Sequence, residues 1–446
     1  ASALGSELHS TLYVLDEPSI GLHPSDLERL VAILKSLCRN DNTVVVVEHE
    51  ASVIKAADHV IDLGPGAGVH GGKLLFAGHP ESLKGKDSAT SRALNTKSLD
   101  CLFDDSCKRK ALGGSSIFVH GAKENNLKNL DLSIPLGCIT CISGVSGSGK
   151  STLLESVIFA GVKELLGERV SRIGEFDGIT GVEQLRRIEF IDQGAPTRSP
   201  RSNPATYMKL FTDIRKALAS TKAAEQKGVK AGFFSFNTPG GRCEECKGAG
   251  RIEVDLQFLG ETHIPCEICR GSRFSAEVEK IRYRTYNVVD ILNMTVDEAS
   301  SLFADHSKLA TKLLVLQSMG LGYLNLGQST STLSVGEAQR LRLARQLSEG
   351  KLKGALLLLD EPTTGLHAQD IKKLLSVFDA LIEKGASLVL VEHNLEVIAH
   401  SDYIIDLGPG GGDDGGRIVA KGSPRDLLQA RASKTALSLK SYFGSY

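Results

Sequence analysis

Three groups of residues in this chain have the types and spacing to do chemistry. The first is Gly144-Val-Ser-Gly-Ser-Gly-Lys-Ser-Thr152, which follows the short apolar run Ile139-Thr-Cys-Ile142. Positions without side chains at Gly144, Gly147 and Gly149 let backbone N–H groups, that of Ser146 among them, wrap a pyrophosphate at a helix N-terminus. Lys150 is placed to neutralise the outer phosphates, Ser151 to hold Mg²⁺, and Thr152 to close the loop. The second group is Leu12-Tyr-Val-Leu-Asp16-Glu17-Pro18, an apolar run ending in two carboxylates, and its near copy Leu356-Leu-Leu-Leu-Asp360-Glu361-Pro362. Nucleotide hydrolases use such a pair to put one carboxylate on the Mg²⁺ shell and the other near the attacking water.

The third group is cysteine. Cys243-Glu-Glu-Cys246 and Cys266-Glu-Ile-Cys269 are two C-x-x-C knuckles with 19 residues between them. That spacing suits a tetrahedral Cys₄ zinc site, and four thiolates leave no open position for catalysis, so the role expected of Zn²⁺ is structural. Ile252-Glu-Val-Asp-Leu-Gln-Phe258 alternates like a strand between the knuckles, which predicts a zinc-pinned hairpin. Arg242, Lys247, Arg251, Arg270 and Arg273 flank the cysteines, and Gly232-Phe-Phe-Ser-Phe-Asn237 precedes them. This pattern fits phosphate contact beside stacking aromatics, and equally a solvated basic rim around a buried phenylalanine core. Cys138 and Cys141 share the C-x-x-C spacing, but residues three apart on a strand point to opposite faces. Cys101 and Cys107 have no further ligands at useful spacing and read as surface thiols.

These residues need elements to hold them. The apolar run before Gly144 and Leu153-Leu154…Val157-Ile158 after Thr152 give strand, loop, helix. Asp26–Cys38 has helical spacing, and Thr43–Val47 reads as a parallel strand delivering Glu48 and His49 to the edge that carries Asp16 and Glu17. The segment then recurs: Asp16-Glu-Pro-Ser-Ile-Gly-Leu-His23 as Asp360-Glu-Pro-Thr-Thr-Gly-Leu-His367, Val47-Glu-His49 as Val391-Glu-His393, and Ile61-Asp-Leu-Gly-Pro-Gly66 as Ile405-Asp-Leu-Gly-Pro-Gly410. Each pair lies 344 positions apart. Two copies of one nucleotide-binding unit are expected, residues 1–85 carrying only the later part of the first. Residues 86–115 read as an exposed linker. Residues 116–446 form the second copy, opening on an antiparallel strand pair and interrupted by an insertion over 195–325 that carries the zinc module 243–269. Ile188–Gln193 reads as a strand whose last residue, Gln193, reaches either Mg²⁺, the attacking water or only solvent. In Leu333-Ser-Val-Gly-Glu337, Ser334 and Glu337 can cap the following helix reciprocally; alternatively Ser334 and Gly336 at that helix end receive a γ-phosphate bound by another domain.

The chain has 446 residues with 52 basic and 53 acidic side chains, so nucleic-acid contact requires a local patch and not a generally basic surface. No apolar run is long enough to cross a bilayer and no secretory leader pattern opens the chain, which makes the cytoplasm the expected compartment. Nine cysteines fit reduced thiols and a metal site better than a disulfide framework.

The ordered set of P-loop, Gln193, Leu333-Ser-Val-Gly-Glu337, Asp360-Glu361 and His393 resembles the motifs of an ABC-type ATPase. The implied fold class is α/β: a P-loop ATPase core with an antiparallel β segment, a helical signature subdomain and the inserted Cys₄ module. With the zinc insertion after Asp192-Gln193, Pro200-Arg-Ser-Asn-Pro-Ala-Thr206 and Phe234-Ser-Phe-Asn237, nearly the whole chain is similar to the UvrA family. The resemblance implies ATP and Mg²⁺ as cofactors, Glu361 as general base, and His393 as γ-phosphate sensor. It further implies damaged double-stranded DNA and a UvrB-like helicase subunit as partners, a homodimer of the full-length protein, and an SOS-response setting. One departure is Val335 where the signature usually has glycine. A UvrA-like ATPase serving drug resistance, or a DNA-binding module with vestigial ATPase, are the alternatives. In the head-to-tail arrangement of such ATPases the Lys150 site needs the other copy's signature, so this chain alone is expected to turn over ATP poorly.

Overall fold

The leucine run before Asp360 is apolar throughout because its strand is covered on both faces. The computed structural model of the protein describes residues 9–443 apart from 20, 40, 67–70, 96–113, 192–200, 256–260, 351, 365 and 367. It divides into two units, residues 1–193 with 350–446, and residues 194–349.

In the first unit a six-stranded sheet runs in the order Arg417–Gly422, Tyr403–Gly408, Ile139–Gly144, Ser387–Val391, Ala355–Asp360, Arg187–Ile191. All neighbours are parallel except the first pair. One face packs Ile142, Leu358, Val389 and Leu407 against Leu153, Leu154, Val157 and Ile158 of the helix that follows the glycine loop. The same core takes in the antiparallel sheet of Ser116–Ala122, Leu130–Pro135 and Gly178–Thr180. On the other face Cys141 and Ile404 meet Leu395, Ile398, Leu427, Ala436 and Leu439 from three short helices. Cys138 instead donates its thiol to the Pro135 carbonyl, so the two cysteines serve separate surroundings.

The repeat is structural as well as sequential. Leu12–Asp16 pairs in parallel with Thr43–Val47, as Leu356–Asp360 does with Ser387–Val391, and the hairpin Val60–Gly64 with Lys73–Gly78 repeats Ile404–Gly408 with Arg417–Gly422. Both hairpins carry a register shift after the aspartate, Asp62 or Asp406, and both Gly–Pro bonds, 64–65 and 408–409, are cis. The helix Pro24–Cys38 starts because His23 accepts from the Ser25 N–H and Pro24 fits the first turn, and it buries Leu27, Leu30, Leu34 and Leu37. Burial is what differs between the copies: Val14 is 66% exposed, whereas Leu358, 344 positions later, is 0% exposed. Leu12, Val45, Val47, Ile61 and Leu63 are likewise exposed where their counterparts are buried. Within the stretch read as a linker, Ala89–Asn95 is a helix packed on Ala368–Glu383. Ser88 and Ser91 are buried there, contacts that apolar periodicity does not signal. Cys101 and Cys107 lie outside the described residues.

The second unit is helical, with Leu210–Ala219, Ser307–Ser318 and Val335–Glu349 as its longest helices, and one antiparallel hairpin, Arg251–Asp255 with Glu261–Pro265. It takes in the stretch 195–325 expected for the insertion together with the helix beginning at Val335. Among the described residues, no helix is long and apolar enough to cross a membrane.

Candidate ATP and metal sites

Gly144 ends the central strand at φ +133°, and a Cβ there would lie 2.1 Å from the Leu407 carbonyl oxygen, so the turn into the phosphate loop requires glycine. The loop closes at Lys150, whose Nζ donates to the Gly144 and Val145 carbonyls at 3.0 and 2.9 Å. Burial pulls the Lys150 pKa down to about 8, opposed by Glu361 and Asp360. Asn126 donates to the carbonyls of Gly147 and Gly412, and the backbone N–H groups of Gly412 and Gly416 donate to Gly147 and Ser148, so a second glycine-rich loop braces the first. Ser151 and Thr152 begin the helix, where Asn125 donates to the Thr152 hydroxyl.

Asp360 ends the neighbouring leucine strand, and burial, then the Glu361 charge, holds its carboxyl up at about 6. Glu361 has a positive φ of 44° and faces His393, whose Nε2 is 3.4 Å from Oε1. Burial lowers the His393 pKa, so its imidazole is neutral. Sequence reasoning missed the residue that fixes both. Glu392, fully buried, accepts from the backbone N–H groups of Thr363, His393 and Asn394, tying the turn after Glu361 to the turn bearing His393. Glu48 does the same for Ser19, His49 and Glu50 in the first copy, where Glu17 and His49 are 3.7 Å apart. The signal was available: Val-Glu-His and Ile-Asp-Leu-Gly-Pro-Gly recur with their acidic residues unchanged. Asp406 of the second motif accepts from Ser143 of the central strand and from Thr435, each at 2.8 Å.

Whether these residues fit a nucleotide can be tested on the protein itself. Among the described residues, the Ser148 hydroxyl and Nδ1 of His393 are buried polar atoms with no hydrogen-bond partner, lying in and across from a loop whose backbone must stay free of side chains. Such a pocket of donors with a buried cation and a half-buried carboxylate fits a Mg²⁺-phosphate group. Gln193 lies outside the described residues.

In the second unit, Ser334 caps its helix reciprocally: its N–H donates to Glu337 Oε2 at 2.8 Å and the Glu337 N–H donates to its hydroxyl at 3.3 Å. Tyr323 donates to the other oxygen of Glu337 and Arg340 donates to the Gly336 carbonyl, so the polar turn is held from three sides. The four cysteines converge, with all sulfurs within 4.8 Å of one another. Cys243 to Cys266 is 3.9 Å and Cys246 to Cys269 is 3.7 Å, against the sulfur–sulfur edge of about 3.8 Å that tetrahedral Zn–S bonds of about 2.3 Å require. The Gly250 N–H donates to the Cys246 sulfur at 3.2 Å. The donor set therefore fits zinc.

No protein-family model matches the chain. It is 48% identical over 442 residues to UvrABC system protein A of Aquifex aeolicus and 46% identical over 442 residues to that of Clostridium acetobutylicum, each alignment covering 99% of this chain. The crystal structure of UvrA2 from Deinococcus radiodurans superposes with a TM-score of 0.91 at 43% identity, over 99% of this chain and 53% of that one. The chain belongs to the UvrA family. It spans about half the length of the curated relatives it matches, covering 48% and 47% of the two named. A model of ribosome-bound archaeal Pelota and ABCE1, TM-score 0.51 at 18% identity, shares the fold alone.

The basic residues around the cysteine knuckles separate into two kinds. Lys247 and Arg270 are exposed, both at positive φ on the turns that present the cysteines. Arg242 is held by Glu244 at 3.0 Å, and Arg273 lies over the Phe236 ring at 5.6 Å with its pKa lowered by burial and by Arg251. Phe234 and Phe236 are buried, with Phe236 stacked on Phe211 and edge-on to Phe274. These two phenylalanines thus form a core under the module; of the two readings of the aromatic stretch, packing holds for them and stacking on a ligand does not.

Proposed function

We propose that this chain is the C-terminal portion of an ATP-dependent DNA-damage recognition subunit of nucleotide excision repair, which binds distorted duplex DNA as a dimer of the full-length protein and loads a UvrB-like helicase subunit. The observation that carries the reading is the near-complete alignment to UvrABC system protein A together with a Cys₄ module set between the two halves of an ABC-type ATPase core.

Gly144, Ser146, Gly147, Gly149, Lys150, Ser151 and Thr152 would hold the phosphates of ATP, and Ser151 with Asp360 would hold Mg²⁺, which when bound supplies charge neutralisation at the transferring phosphate. Glu361 is the general base, kept in place by its strained backbone and by the neutral His393 beside it. Ser334 and Gly336 of the capped turn would meet the γ-phosphate of a nucleotide held by the phosphate loop of another domain, not the one at Lys150. Cys243, Cys246, Cys266 and Cys269 would hold Zn²⁺ and fix the turns bearing Lys247 and Arg270, which serve as the phosphate contacts of the module. Arg242, tied to Glu244, and Arg273, over the Phe236 ring, hold the module's own side chains, and Arg251 adds to its positive charge.

The test is a fluorescence-anisotropy titration of lesion-bearing and intact duplexes at several salt concentrations, with and without nucleotide. Tighter binding of the lesion-bearing duplex, changed by nucleotide, is expected; equal affinity for both duplexes regardless of nucleotide would overturn the reading. The salt slope reports how many phosphates the basic residues neutralise.

A further inference from the structure

The Lys150 site is roofed by a turn from the other copy of the repeat. The Ser146 hydroxyl donates to the Gly21 carbonyl at 3.2 Å, and Gly21, at φ +70°, would place a Cβ only 3.4 Å from the Glu361 carboxylate. Two residues on, His23 is 1% exposed, and its ring meets that of His393 edge-on, with centroids 5.8 Å apart and planes at 78°. His23 Nε2 is 3.2 Å from the Thr435 hydroxyl oxygen, and Nδ1 takes the Ser25 N–H at 3.2 Å. Thr435 gives its own proton to Asp406, which also accepts from Ser143 on the central strand. Nδ1 acts as acceptor towards the Ser25 N–H and the Thr435 proton is committed to Asp406, so Nε2 carries the hydrogen. Burial, then the neighbouring His393, drives the His23 pKa down to about 3, so this tautomer is neutral throughout the working range.

We propose that His23 is a positioning residue for the Lys150 site, holding the His393 ring and the Ser143–Asp406–Thr435 chain in register with the turn of the first copy. The proposal rests on the reading of that site as an ATP hydrolase. His23 touches no reacting atom; it sets the edge against which His393 packs, and through Thr435 and Asp406 it ties that edge to the strand from which the phosphate loop springs. A change in the turn carrying Asp16 and Glu17 is thereby delivered to Glu361 and His393 of the other copy.

The experiment compares steady-state ATP hydrolysis by the full gene product with that of His23→Ala, Thr435→Val, Thr435→Ser and the double variant His23→Ala/Thr435→Val. His23→Ala and Thr435→Val are each expected to lower kcat about tenfold with KM for ATP nearly unchanged, because what is lost is alignment and not ground-state binding. Thr435→Ser keeps the hydroxyl and should stay near wild type. The double variant should be no worse than the more severe single one, the signature of residues acting as one unit. Multiplying effects, a rise in KM alone, or Thr435→Ser behaving as Thr435→Val would overturn the proposal. Unimpaired turnover in His23→Ala would sink this proposal only, whereas a wild-type protein without Glu361-dependent turnover would sink the hydrolase reading and the proposal together.

Discussion

Substituting Cys266, the fully buried member of the cysteine cluster, tests the metal assignment at the point where the structure depends on it most. Among the described residues, the apolar side chain packed directly on the four cysteines is Ala249, so the knuckles themselves depend on the ion although phenylalanines pack beneath the module. The hairpin Arg251–Asp255 with Glu261–Pro265 is two-stranded, an arrangement that is marginal in water without support. A structural zinc site contributes on the order of 10 kcal/mol to folding, and each 1.4 kcal/mol is about a factor of ten, so losing the ion should shift local opening by roughly seven orders of magnitude. Cys266→Ser should purify without stoichiometric zinc. By hydrogen exchange, amides over 243–273 should lose protection while those of the ATPase sheet keep theirs. Chelation of the wild-type protein should give the same pattern, reversed by adding zinc. Retained protection over 243–255 and 261–273 in a metal-free Cys266→Ser protein would refute the argument, because a two-stranded hairpin and Ala249 contribute far less than the ion.

Four further outcomes follow from the Lys150 site. Glu361→Gln should retain nucleotide binding and lose hydrolysis by about a hundredfold or more in the full gene product; this chain alone should turn over slowly, and fast turnover abolished by Glu361→Gln would contradict the need for a signature from the other copy. Because the Asp360 carboxyl is held up at about 6, it is ionised above that pH and protonated below it, so Mg²⁺-dependent nucleotide affinity should fall by up to tenfold per pH unit under 6. A midpoint near the ordinary aspartate value of about 4, or the same profile in Asp360→Asn, would show that Asp360 does not govern it. Gly144→Ala drives a Cβ into the Leu407 carbonyl at a backbone angle alanine resists, and denaturant unfolding should show a loss of about 2–4 kcal/mol together with lost nucleotide binding.

The P-loop, the carboxylate pair and the cysteine knuckles were legible because each is local: spacing along the chain dictates the geometry of a loop, a strand end or a metal shell. The repeat at a constant 344-residue offset was legible for a different reason, since matching polar residues at strand ends demand matching sheet edges. What the residues did not disclose is mostly long-range. The Glu392 carboxylate, the Asp406 acceptor and the Asn126 brace bond to partners that only the closed sheet brings near. Residues 86–115 read as linker because Ala89–Asn95 has few apolar positions, yet Ser88 and Ser91 are buried, and their hydrogen bonds substitute for periodicity. The phenylalanines at 234 and 236 looked the same whether they faced a ligand or a core, and only burial decides between those.

The unequal burial of the duplicated strands sets different rules for two stretches of nearly identical text. A threonine in place of Leu358 would lose buried methyl groups and strand a hydroxyl among leucines, costing about 2–5 kcal/mol. At Val14, its partner in the repeat, the same threonine would meet solvent and change stability by roughly half a kcal/mol or less. Within this chain, which spans about half the length of its relatives, paired positions of the repeat therefore differ in burial and in the mutations they tolerate. A variant catalogue scored on residue type alone would misjudge one member of each pair.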